Sequence, residues 1–122
     1  MTKVLVAEDD VLLSSIVVRN LVAELFEVHA AFDGLQAEQE IKNWQPDLVL
    51  LDLLMPKKDG FQVLADVRAD PTTAKLRIIV FSNLGENETM ANIEKFDLAG
   101  YFIKANTTPH EIVAKVKELF QK

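Results

Sequence analysis

Four stretches of this chain end in groups that can handle charge. The apolar run Asp47-Leu48-Val49-Leu50-Leu51 closes on Asp52, and Lys3-Val4-Leu5-Val6-Ala7 closes on Glu8-Asp9-Asp10. Val80-Phe81 leads to Ser82, and Gly100-Tyr101-Phe102-Ile103 leads to Lys104. Carboxylates gathered at one rim repel one another and call for a cation. With oxygen donors and no His or Cys among them, that cation is a hard one, Mg²⁺ before others, sharing carboxylates with water and a substrate phosphate. Lys104 supplies a point charge suited to a phosphoryl oxygen, and Ser82 one hydrogen bond to the same group. A carboxylate nucleophile can form an acyl phosphate, with catalysis by positioning and charge neutralisation.

Those groups need a frame that brings them together. Five apolar runs, near 3–8, 27–31, 47–52, 77–82 and 100–103, alternate with helical patterns near 11–25, 34–43, 60–68, 87–96 and 109–120. A run as apolar as 48–51 is buried on both faces, which belongs to a parallel sheet covered by helices. Strict β/α alternation with right-handed crossovers gives a doubly wound, flavodoxin-like α/β fold with helices on both faces of a five-stranded parallel sheet. Its expected strand order is 2-1-3-4-5, because the second strand ends at Ala31-Phe32 and offers nothing polar to the cluster. In that order the first and third strands are neighbours at the topological switch point, so Asp9 and Asp52 stand side by side.

Helix starts are marked by Asp33-Gly34-Leu35-Gln36, Asp59-Gly60-Phe61-Gln62 and Thr108-Pro109-His110-Glu111, each with a capping residue and Gln or Glu three positions on. Ile112, Val116 and Leu119 then form one apolar stripe.

The bulk numbers restrict the function classes. The 122 residues, 49% hydrophobic and 26% charged, suit one globular domain spanning 1–122. With no cysteine there is no disulfide scaffold, thiolate zinc site or thiol nucleophile. A net charge of −6 argues against direct nucleic-acid binding. No apolar stretch approaches the roughly 20 residues that span a bilayer, so no membrane insertion and a cytoplasmic location are expected.

Ala7-Glu8-Asp9-Asp10, Leu51-Asp52-Leu53-Leu54-Met55-Pro56 with Asp59-Gly60, Val80-Phe81-Ser82-Asn83 and Gly100-Tyr101-Phe102-Ile103-Lys104 together resemble the signature segments of response-regulator receiver domains, over essentially the whole length. The resemblance implies a phosphoacceptor of two-component signal transduction, chemotaxis-type and without an output domain of its own. Asp52 would take the phosphoryl group from a sensor histidine kinase or phosphotransfer protein. Glu8, Asp9, Asp52 and the backbone carbonyl of Leu54 would hold Mg²⁺, and Lys104 would pair with Asp52 and then with its phosphate. Ser82 and Tyr101 would be the switch residues, and the helix near 87–96, the fifth strand and the last helix would present the changed surface to a downstream protein. The implied protein is a monomer, with a dimer linked to phosphorylation left open, and a switch rather than an enzyme.

The chain departs from that family at three places. Ala105 follows Lys104 where receivers have a proline after a cis bond, which leaves cis and trans both open. Asp97 ends the helix near 87–96 where glycine is common, in a position that often requires a left-handed backbone, which Asp adopts at some cost. Leu54 and Leu84 place apolar side chains where water would approach the phosphate, so a long-lived phosphorylated form is expected. The competing reading is a Mg²⁺-dependent phosphatase with an aspartyl-phosphate intermediate. Enzymes of that kind, resembling haloacid dehalogenases, want an acid two residues after the nucleophile, and Leu54 is there. Asp10 reads as a helix N-cap, Met55-Pro56-Lys57-Lys58 as the loop shaping the site with its two lysines solvated, His29 and His110 as surface or edge residues without an acidic or metal partner in sequence, and Trp44 as a partly exposed packing residue.

Overall fold

The computed structural model describes residues 1–83 and 92–120. In chain order it has β1 (Lys3–Ala7), α1 (Val11–Ala23), β2 (Glu27–Ala31), α2 (Gly34–Trp44), β3 (Leu48–Leu51), α3 (Gly60–Ala69), β4 (Arg77–Ser82), β5 (Gly100–Ile103) and α4 (Pro109–Phe120). Short 3₁₀ turns cover Glu94–Phe96 and Lys104–Asn106. The helix expected near 87–96 falls largely outside the described residues, as does Leu84.

All strands are parallel, in the order β2-β1-β3-β4-β5. Side chains alternate across the sheet and divide the core in two. Leu5, Ala7, Val49, Leu51, Ile78 and Val80 pack against α2 and α3. Val4, Val6, Leu48, Leu50, Ile79 and Phe81 pack against α1 and α4. Burying each large side chain contributes about 1.5–3 kcal/mol, so a charge at Leu50 or Leu51 would break one layer. The expected stripe on α4 is present: Ile112 and Val116 are buried, with Val113 beside them and Leu119 at the margin.

The helix starts follow the sequence signals. Asp10, Asp33 and Asp59 accept hydrogen bonds from the backbone N–H of Leu13, Gln36 and Gln62. Thr108 and Glu111 cap each other reciprocally. Gln36 departs from the expected box, since its side chain accepts from the N–H of Phe32, one residue earlier. Asp97 has φ 55° and ψ 64°, the left-handed conformation expected at its position. The described peptide bonds are all trans, Lys104–Ala105 included, and Asn83 Oδ1 accepts the Ala105 N–H at 2.9 Å to hold that loop.

Candidate functional site

The strand ends deliver their acids to one place. Asp52 lies one residue past β3 but continues its ladder, its N–H donating to the Ala7 carbonyl at 3.0 Å. Glu8 does the same past β1, donating to the Ala31 carbonyl at 3.0 Å. Gly60 lets α3 start close to this rim: a Cβ there would stand 2.4 Å from the Asp52 carbonyl oxygen. Glu8 and Asp52 are only 3% and 4% exposed, while Asp9 faces solvent. One carboxylate oxygen from each of the three lies within 4.8 Å of the others.

Lys104, arriving from the end of β5, answers these charges. Its Nζ donates to Asp52 Oδ2 at 2.9 Å, is ion-paired with Glu8 Oε1, and lies 5.7 Å from the Phe81 ring centroid. The other Asp52 oxygen accepts the Leu54 N–H at 3.1 Å, and Glu8 Oε2 accepts the Asp10 N–H at 3.0 Å. Burial pushes the Glu8 carboxyl up to about 7, with the Asp52 charge adding to it and the bonds from Lys104 and Asp10 opposing it. Burial alone would lower Lys104, but its bonds to Glu8 and Asp52 outweigh that and raise it.

Three carboxylates against one ammonium leave this buried rim short of positive charge. An all-oxygen donor set of this kind fits a hard divalent cation. Ser82, at the end of β4, is fully buried, and its Oγ has no hydrogen-bond partner among the described residues. A buried hydroxyl is rarely left without a partner, so this one fits a site that receives an additional acceptor. Tyr101 is partly buried on β5 against the α2/α3 side of the core, paired in register with Val80. A cleft of about 1110 Å³ lies at the opposite end of the sheet, lined by Pro46, Asp47, Asp70, Thr72 and Arg77 among others, and contains none of these groups.

Residues 4–117 match the response regulator receiver domain family. The chain belongs to that family. Its receiver fold matches the N-terminal receiver domain of RstA from Klebsiella pneumoniae with a TM-score of 0.86, at 26% identity and covering 98% of this chain and 100% of that one. The receiver domain of the putative regulator NarL from Mycobacterium tuberculosis gives 0.81 at 33% identity, over 97% and 94% of the two chains. In sequence, the receiver is 32% identical to the DNA-binding dual master transcriptional regulator RpaA of Synechocystis over 100% of its length, and 50% of RpaA. It is likewise 32% identical to the phosphate regulon regulator PhoB of Rhizobium meliloti, over 98% of this chain and 52% of that one. The chain thus spans about half the length of these curated relatives.

Of the expected site residues, the receiver brings Glu8, Asp9, Asp52, Leu54 and Lys104 into one cluster, with Ser82 at the adjoining strand end. One expectation about other residues is extended and one corrected. His29 is exposed on the edge strand β2 as expected, and it also has an acidic partner: its Nδ1 lies 2.7 Å from Glu40 Oε2, and its ring stacks on Trp44 at 3.7 Å. Lys58 is not a solvated loop lysine, because its ammonium pairs with Glu38 at 2.7 Å and with Asp66. Both partners come from other elements, and local sequence does not announce them. Asn83, which fixes the loop after Lys104, was also missed, although its place directly after Ser82 at a strand end was a usable signal. Among the described residues, no helix is long and apolar enough to cross a membrane.

Proposed function

We propose that Asp52 is the phosphoacceptor of this receiver and that Mg²⁺ is the cation its acids take up. The observation that carries this reading is the convergence of Glu8, Asp9 and Asp52 with the Lys104 ammonium already bonded to Asp52 Oδ2. An Asp52 carboxylate oxygen attacks the phosphorus of a phosphohistidine on a sensor kinase or phosphotransfer protein. The P–O bond forms as the P–N bond breaks, and the imidazole leaves and takes up a proton. Glu8, Asp9, Asp52 and the carbonyl of Leu54 hold the ion, which when bound neutralises charge on the phosphoryl oxygens. Lys104 stays with the site and turns from the carboxylate to the new phosphate. The buried Ser82 hydroxyl gains the acceptor it lacks, and Tyr101 responds from the neighbouring strand.

The changed surface around β5 and α4 then binds a downstream protein, as a two-state element biased by a local charge event. The chain works as a switch in the cytoplasm and not as a turnover enzyme, because Leu54 offers no proton two residues after the acceptor. Incubation with a small-molecule phosphodonor and Mg²⁺, followed by intact mass, tests the assignment. One added phosphoryl group is expected, absent from Asp52→Asn and absent without Mg²⁺. Steady release of phosphate from many esters would favour a phosphatase instead.

A further inference from the structure

The loop of residues 53–59 carries Leu54, whose backbone meets Asp52, yet much of what holds this loop comes from two neighbouring helices. Its ends are closed locally: Leu53 is fully buried, and the Gly60 N–H donates to the Leu53 carbonyl at 3.0 Å. Between them, Lys57 adopts φ 66° and turns the chain toward α2. The Lys58 carbonyl oxygen then lies so close to Gly34, the first residue of α2, that a Cβ there would stand only 1.9 Å away. Lys57 Nζ lies 3.6 Å from Asp33 Oδ2, the buried cap of the same helix. Lys58 goes further, placing its ammonium 2.7 Å from Glu38 on α2 and in an ion pair with Asp66 on α3.

Ala37 and Ile41 of α2 share the core with Val63, Leu64 and Val67 of α3, but apolar packing leaves part of the seam open. A cleft of about 320 Å³ runs between the two helices, lined by Glu38, Ile41, Asp66 and Val67 among others. Without the ammonium, two carboxylates would face each other across that cleft. A lone surface ion pair contributes little, but one cation shared by acids on two helices forms a small network.

We propose that Lys58 is a positioning residue, whose ammonium clamps the loop of residues 53–59 between α2 and α3 and so sets the Leu54 backbone for cation binding at Asp52. The cation half of this rests on the site reading given above.

Electrostatics gives the test a decisive sign. Removing a lysine makes the protein more negative, which by itself tightens binding of a divalent cation, whereas losing the clamp weakens it. Lys58→Met, which keeps the apolar stem, is expected to bind Mg²⁺ about tenfold more weakly, as losses in the shell behind metal ligands commonly do. The Leu54 amide of the metal-free protein should exchange hydrogen about tenfold faster, while Val49 and Leu50 in β3 keep their protection. Lys58→Arg should restore both values. Lys117→Met, which loses the same charge at the distant pair with Glu24, should leave both unchanged or bind Mg²⁺ more tightly. Unchanged Leu54 exchange in Lys58→Met, equal acceleration throughout β3, or undiminished Mg²⁺ affinity would each overturn the clamp. Failure of the wild-type protein to bind Mg²⁺ would instead sink the cation reading, leaving the exchange data to decide the clamp alone.

Discussion

Lys104 Nζ donates to Asp52 Oδ2 across 2.9 Å from 52 residues further along the chain, and the same ammonium pairs with Glu8. One cation therefore serves two nearly buried acids. Truncating it in Lys104→Met leaves both uncompensated, and we expect a loss on the order of 2 kcal/mol, below the range for fully buried pairs because Lys104 retains some water contact. Asp52→Asn works in the opposite direction by relieving repulsion with Glu8 and Asp9, so its melting temperature should rise in metal-free buffer. Thermal melts of the two variants check the pair. Movement in the same direction would show that the acids do not strain the fold.

Backbone conformation gives a second expectation. Leu25, two residues past the end of α1, is a large exposed residue at φ 70°, and Asp97 is at φ 55°. The left-handed region costs an L-residue roughly 1–2 kcal/mol that glycine does not incur. Leu25→Gly should stabilise the protein by about 1 kcal/mol, and Asp97→Gly by less, since Asp tolerates the region better. Urea denaturation midpoints are the measurement. A lower midpoint for Leu25→Gly would mean that its side chain contributes packing not visible in its exposure.

These two positions mark the limit of what the chain discloses. The sheet order was legible because apolar β-strands, helix caps and the polarity of each strand end all agreed, and Asp52, Glu8, Asp9, Ser82 and Lys104 all lie at a strand end or within two residues past it. Asp97 was legible as a helix terminus. Leu25 was not, because nothing in its type signals a left-handed backbone. Lys58 was misread for a related reason: the φ of Lys57 aims it, and its partners lie 20 residues upstream and 8 downstream. The pairing of His29 with Glu40 and Trp44 likewise depends on α2 folding beside the β2 edge.

Leu54 bears on how long the phosphorylated state lasts. Its backbone N–H is committed to Asp52, while the residue as a whole is 53% exposed. An apolar group at that position hinders a water in line with the phosphorus and cannot orient one. Leu54→Asn should shorten the lifetime of the acyl phosphate by about tenfold, equivalent to about 1.4 kcal/mol of barrier. The decay of the phosphorylated mass peak after removal of the phosphodonor measures this. A lifetime equal to or longer than that of the wild type would remove the shielding role.

The raised Glu8 carboxyl links proton, cation and fold. Its folded value of about 7 lies above the ordinary 4.5, so between those limits the native state binds more protons than the unfolded chain. Stability of the metal-free protein therefore falls as pH rises from about 4.5 to 7, and the loss is complete above that. The favourable contribution is fully present below 4.5. Mg²⁺ reverses the order, because it requires the ionised carboxylate: its affinity should climb as pH passes through 7 and level off above it. Glu8→Gln removes the titration, flattening the metal-free stability profile in this window while weakening the cation at every pH. Calorimetric Mg²⁺ titrations at several pH values, paired with melts of the metal-free protein, test both limbs. A wild-type affinity that does not change from pH 6 to 8 would show that Glu8 is already ionised before the cation arrives, held so by Lys104.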